Sequence, residues 1–185
     1  MKPNSDQMSV FDHILDPDER IVWIQKPRFK PYLAGGLEIF ILLFLCGAFI
    51  LYFAATQKDA TQGLYWISAA IMVLSTFKLV WRLLRFKHVS YAYTNKRILI
   101  QRGLRGKRIK VIEFDQVVEI TVDITSIDRY YGVGSIKFFT GETTPSDDGR
   151  IEKLYVDMDA IDDPFVVFAN LKDVMSDYKT LSYGA

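Results

Sequence analysis

Apolar residues are concentrated in two long runs near the start of this chain. Tyr32 to Ala54 reads YLAGGLEIFILLFLCGAFILYFA, and Leu64 to Leu84 reads LYWISAAIMVLSTFKLVWRLL. A bilayer core about 30 Å thick takes roughly 20 apolar helical residues to cross. Both runs reach that length, and the short polar stretch between them predicts a helical hairpin over 32–54 and 64–84. Between Ile39 and Ala55 no residue is charged. A surface helix of a soluble protein instead carries polar residues along its solvent side. The first run follows a mixed polar segment, is too long for the core of a signal peptide, and is followed closely by a second run, so cleavage is not expected.

From Phe86 onward the pattern becomes period two, broken by turn residues. It predicts strands over 88–94, 97–102, 108–114, 117–125, 135–140 and 151–156, with 141–149 as an open loop. The earlier segment RIVWIQK, 20–26, has the character of a seventh strand. Short connections favour antiparallel neighbours. At Asp162-Asp163-Pro164 the period changes again. Asp at the N-cap and Pro at the first helical position start a helix, with Phe165, Phe168, Ala169, Leu171 or Lys172, and Met175 near helical spacing. That helix should end near Tyr178 or Lys179 and cover a sheet. The expected fold is therefore membrane-anchored α+β. A transmembrane helical hairpin precedes a small antiparallel sandwich or partly open barrel closed on one side by the C-terminal helix. The divisions are 1–31, 32–85, 86–180 and a short tail, 181–185.

Charge sets the orientation. Arg20, Lys26, Arg28 and Lys30 precede the first run, and Lys78, Arg82, Arg85 and Lys87 lie at the end of the second. The connection carries only Lys58, beside Asp59. Lysine and arginine stay on the cytoplasmic side, so both termini are expected there. The formal net charge of +1 sums regions in different surroundings and carries no nucleic-acid signature. The single cysteine, Cys46, cannot form an intramolecular disulfide, and packing is its expected role.

Within the apolar runs, Glu38 and Lys78 lie near the same end of the hairpin. Two readings are open: an intramembrane pair that lowers the cost of both charges, or separate snorkelling to the interface. Gly47 and Ala48 on the first helix, and Ser68, Ala69 and Ala70 on the second, are small enough for close helix contact.

No set of residues predicts catalysis. His13 and His88 are the only histidines and have no ligand spacing around them. Asp157, Asp159, Asp162 and Asp163 lack the glycine and the terminal glutamate of a calcium loop. Gly132 and Gly134 lack the third glycine and following helix of a dinucleotide fingerprint. No catalytic residue, metal or cofactor is expected. The strongest polar cluster is basic: Arg102, Arg105, Lys107, Arg108 and Lys110, around one hairpin turn. Near an anionic leaflet each is worth about 1 kcal/mol. The plain alternative is a solvated turn.

At YAYTNKRILIQRG, Tyr91 to Gly103, the chain resembles the bacterial pleckstrin-homology-like domain family, often described as membrane-flanked domains of unknown function. The matching residues are Tyr91, Tyr93, Thr94, Asn95, Arg97, Ile98, Ile100, Arg102 and Gly103. The IEFDQV stretch from Ile112, the Tyr131-Gly132-Val133-Gly134 turn and the Asp163-Pro164 helix start extend the likeness over 86–179, and Tyr93 replaces the usual aliphatic residue. The resemblance implies a barrel of several strands capped by a C-terminal helix, no established reaction, and contact of the basic turn with anionic lipid headgroups. The expected function is a membrane-anchored cytoplasmic interaction module of the bacterial inner membrane. Its expected partners are the lipid bilayer and a protein, a second copy or the membrane surface, with no nucleic acid. The alternative is an accessory subunit of a membrane transport or export assembly.

Overall fold

The structure is a computed structural model that describes residue 11 and residues 14–57, 61–103, 108–146 and 149–183, with 182–183 as backbone only. In chain order the elements are β1 (Ile21–Gln25), α1 (Phe29–Thr56), α2 (Gln62–Phe86), β2 (Ser90–Thr94), β3 (Arg97–Arg102), β4 (Arg108–Glu113), β5 (Glu119–Asp123), α3 (Ser126–Tyr131), β6 (Val133–Pro145), β7 (Ile151–Asp162) and α4 (Pro164–Tyr183). The fold is α+β with two antiparallel sheets, ordered β1-β2-β3-β4 and β5-β6-β7. The two sheets are separate, so the barrel implied by the resemblance is not closed.

One core lies between the sheets and α4. Tyr91, Tyr93, Ile98 and Ile100 of the first sheet share it with Ile136, Phe138, Val156 and Met158 of the second. Val167, Leu171 and Met175 of α4 join them. Residues of alternate parity in β2 and β3, Ala92 and Leu99, are also fully buried, in a second cluster with Phe11 and beside Leu15, Ile21 and Ile24. The segment before β1 thus covers the back of the first sheet. This is why β2 and β3 are apolar on both faces, as strands buried on both sides are.

Within segment 20–26, Ile21–Gln25 forms a strand. β1 pairs antiparallel with β2, Ile24 opposite Ala92, and Trp23 stacks on Tyr93 at 5.4 Å. Three expectations need correction. The strand expected to run to 125 ends at Asp123, because Thr125 opens α3 with a capping box: Asp128 N–H donates to Thr125 Oγ1 at 3.2 Å, and Thr125 N–H to Asp128 Oδ2 at 3.1 Å. Gly132, at φ 66°, then stops that helix in the left-handed conformation that glycine adopts without strain. The expected open loop over 141–149 is largely strand. β6 runs on to Pro145 opposite Ile151, with a register shift after Phe139 where Gly141 takes φ 86°. Finally, α4 runs on to Tyr183, and its buried stripe is Val167, Leu171 and Met175, with Phe168 half-buried and Phe165 64% exposed. Asp163 precedes the helix at φ 47°, and its carbonyl accepts from Val166 and Val167 N–H.

α1 and α2 are about 42 and 37 Å long at 1.5 Å per residue. They pack antiparallel. Gly47 is buried so close to α2 that a Cβ there would lie 2.9 Å from Met72 Cγ and 3.3 Å from the Ser68 carbonyl oxygen. Of the small residues on α2, Ser68 is in the contact, whereas Ala69 and Ala70 face outward. Both helices are long and apolar enough to cross a membrane, and only 11% of the most apolar stretch of each is buried within the protein. Cys46 is exposed on the outer surface of this pair.

Candidate functional site

The base of the helix pair meets the sheets at a junction made by Arg28 and Arg82. Lys26 and Pro27 lead from β1 to α1, and Arg28 anchors the passage. Its backbone N–H donates to the Ala160 carbonyl at 2.9 Å, and its Nη1 to the Tyr131 carbonyl at 2.7 Å. Its Nε lies 3.2 Å from the Asp162 carboxylate, which also accepts from Gln25 Nε2 at 3.0 Å. Ala160 takes φ 53°, an unfavourable conformation for a residue with a Cβ, at the point where its carbonyl receives Arg28. The first turn of α1 is therefore held to the end of β7.

Arg82 closes the junction from α2. Its Nε donates to the Tyr32 carbonyl at 2.8 Å, and its guanidinium lies 4.8 Å from the centre of the Tyr32 ring. Gly36 makes room for it, since a Cβ there would come within 2.6 Å of Arg82 Cδ. Two cavities flank this arginine. One, of about 420 Å³, faces the sheets and is lined by Glu38, Thr125, Asp128, Ser135 and Asp159. The other, of about 270 Å³, lies between the helices and is lined by Lys78, Arg85, Phe40, Leu43 and Trp81. Glu38 and Lys78 thus border different cavities, and no ion pair within 4.0 Å joins them among the described residues.

The basic turn is divided. Arg102 reaches across to the second sheet, where it donates to the Asp157 carbonyl and lies 3.9 Å from the Asp159 carboxylate. Lys110 lies 4.0 Å from Glu142. Arg108, opposite Arg102 in the ladder, is exposed. Arg105 and Lys107 lie outside the described residues. Near Arg102, burial pushes the Asp157 carboxyl up, helped by the charge of Asp159 and opposed by Lys137 and Arg102. Among the described residues, its Oδ1 is buried without a hydrogen-bond partner. Tyr91, wholly buried, accepts a hydrogen bond at its hydroxyl from Asp159 N–H, and burial raises its pKa. Among the described residues no group of three or more His, Cys, Asp or Glu side chains is placed to hold a metal.

The Thr94-Asn95-Lys96-Arg97 stretch makes a clamp on the segment before β1. Arg97 holds the buried Glu19 carboxylate through Nε at 2.9 Å and Nη2 at 2.6 Å. Thr94 Oγ1 donates to the same carboxylate at 2.6 Å. Asn95 Oδ1 accepts from Arg20 N–H at 3.0 Å, so the asparagine bonds a distant segment rather than its own turn. Burial alone would raise the Glu19 carboxyl, but hydrogen bonds from Arg97, Thr94 and Asp16 N–H, with the Arg97 charge, outweigh it and hold the pKa at about 2.

Sequence reasoning did not find Glu19 as the partner of Arg97, because 78 residues separate them and neither type signals the other. It counted Arg82 and Arg85 only toward orientation. A signal was available: Lys78, Arg82 and Arg85 have the i, i+4, i+7 spacing of one helix face.

A family model described as Bacterial PH domain matches residues 38–175, most of the chain, including most of both long helices. No curated protein and no solved structure gave a significant match.

Proposed function

The chain belongs to the bacterial PH domain family, and from that premise we propose that it is a membrane-anchored interaction module on the cytoplasmic face of the bacterial inner membrane. The PH-like fold is consistent with a protein-interaction module, and membership of this family supports a non-enzymatic role. The observation that carries the membrane reading is the outward apolar surface of the helix pair. Leu42, Phe49, Trp66 and Val73 are each at least 68% exposed. Solvating such a surface in water is costly at about 25 cal/mol per Å², whereas a bilayer removes the cost. The basic flanks favour both termini on the cytoplasmic side. The sheets then hang from the inner leaflet, fixed by the Arg28 and Arg82 junction. The module binds a protein partner or a second copy of itself, and exposed Phe165 and Val166 at the start of α4 provide apolar contact area. Arg108 and its neighbours in the basic turn add attraction to an anionic surface.

Topology labelling tests this directly. Single cysteines at Thr61 and Ser146, in a Cys46→Ala background, are treated with an impermeant thiol reagent on intact cells. Labelling at position 61 and protection at position 146 until the cells are opened is the expected result. The reverse pattern overturns the orientation, and recovery of the chain in the soluble fraction overturns the anchor.

A further inference from the structure

We propose that the inner end of the helix pair binds one anionic phospholipid, whose phosphate is held by Lys78, Arg82 and Arg85 and whose acyl chain lies along Phe40 and Leu43. The inference rests on the membrane-anchored reading above.

Lysines and arginines near the end of a membrane helix ordinarily extend toward the interface, laying their stems on apolar surface. Here Arg82 reaches into the seam, and Lys78 and Arg85, both exposed, border the same cavity. Ser75, in line with Lys78 and Arg82 on the same face, is buried in the helix contact, and Arg82 reaches Tyr32 of α1 across the seam. With Arg85, the three cations line the cavity of about 270 Å³ between the helices. Its remaining wall is apolar, with Ile39, Phe40, Leu43 and Leu79. Ile39 is 59% exposed and Trp81 38% exposed, so the cavity is not sealed from the flank that the bilayer would cover.

The charges in this cavity are not balanced from within. Among the described residues neither Lys78 nor Arg85 has a carboxylate within 4.0 Å. Arg82 Nε is committed to a neutral carbonyl, and Glu38 lines the other cavity. Three cations on one helix face repel one another unless an anion sits among them. Charge-assisted hydrogen bonds from guanidinium to phosphate are strong and directional. A soluble anion would satisfy the cations but leave the apolar wall uncovered. A phospholipid satisfies both, with its phosphate at the cationic end and its chain on the apolar wall.

The test uses the full chain purified in mild detergent and offered phosphatidylglycerol or phosphatidylcholine with the same acyl chains. Retained lipid is read by native mass spectrometry. One phosphatidylglycerol should be retained in preference to phosphatidylcholine by roughly tenfold or more, given the worth of two basic residues beside an anionic headgroup. The double variant Lys78→Gln/Arg85→Gln should lose that preference at unchanged Tm, and Lys78→Arg/Arg85→Lys should keep it. Arg82 is left intact because it also fastens α1. Equal retention of the two lipids, or an undiminished preference in the glutamine variant, overturns the proposal. Displacement of the lipid by millimolar inorganic phosphate also overturns it, in favour of a soluble anion. Failure of the membrane reading has a separate signature: alkaline carbonate would then strip the chain from membranes.

Discussion

Replacing Arg97 by methionine is expected to destabilise the protein by about 3–5 kcal/mol, the usual cost of removing one partner from a buried ion pair. Glu19, whose side chain is fully buried, would keep its charge with only Thr94 and the Asp16 amide to satisfy it. The loss would be seen as a fall in Tm of at least about 6 °C for the detergent-solubilised chain. Changing Glu19→Gln in the same molecule should restore part of it, since the stranded charge is then gone. The clamp also predicts a pH dependence. With the folded pKa of Glu19 near 2 against an ordinary 4.5, the folded state binds its proton less readily than the unfolded state does. The resulting stabilisation, about 3 kcal/mol, is complete above the unfolded value and falls away as the pH drops from about 4.5 toward 2. The gap in stability between the natural protein and Arg97→Met should therefore narrow at pH 3. A gap of the same size at pH 7 and pH 3 would show that Glu19 is not held as described.

Leu171→Asp should unfold the sheet domain, at a cost above about 4 kcal/mol, because the carboxylate would enter the core between the sheets and α4 with no partner. Leu171→Ala should cost about 2–5 kcal/mol through the cavity it leaves. Phe165→Asp, on the exposed side of the same helix, should change stability by no more than about 0.5 kcal/mol. Circular dichroism melts of the three variants separate these cases. Equal losses at positions 165 and 171 would mean that the helix is rotated from the position described.

The contrast between those positions shows where reading α4 by spacing alone goes astray. Phe165, Phe168 and Leu171 are all apolar at helical spacing, and period identifies the helix without saying which of two neighbouring stripes faces the sheet. Contact with Ile136, Phe138 and Met158 decides for Val167, Leu171 and Met175. The strand ends tell a similar story. Thr125 is a good strand residue and also a good helix cap, and the Asp128 side chain, three positions on, settles the matter in favour of the cap. Gly141, Pro145 and Gly149 suit a loop by composition, yet pairing of Thr143 with Lys153 keeps the strands together beyond the bulge.

By itself the sequence determined the two membrane-length helices, the sheet-rich domain after them, the strand before them and the final helix. Each of these depends on local periodicity or on caps formed within a few residues, which a linear reading can see. It also carried the family likeness, in several stretches that include Tyr91 to Gly103, where Thr94-Asn95-Lys96-Arg97 lies. Only the tertiary structure decided what that stretch does. It divided the strands into two sheets, brought Glu19 under Arg97, set Arg28 against Asp162, and gave Glu38 and Lys78 to different cavities. Those outcomes depend on which distant side chains meet once the core closes. The free energy of an ion pair or a buried carboxylate depends on that meeting and on the water it excludes, and neither is encoded in the spacing of residues along the chain.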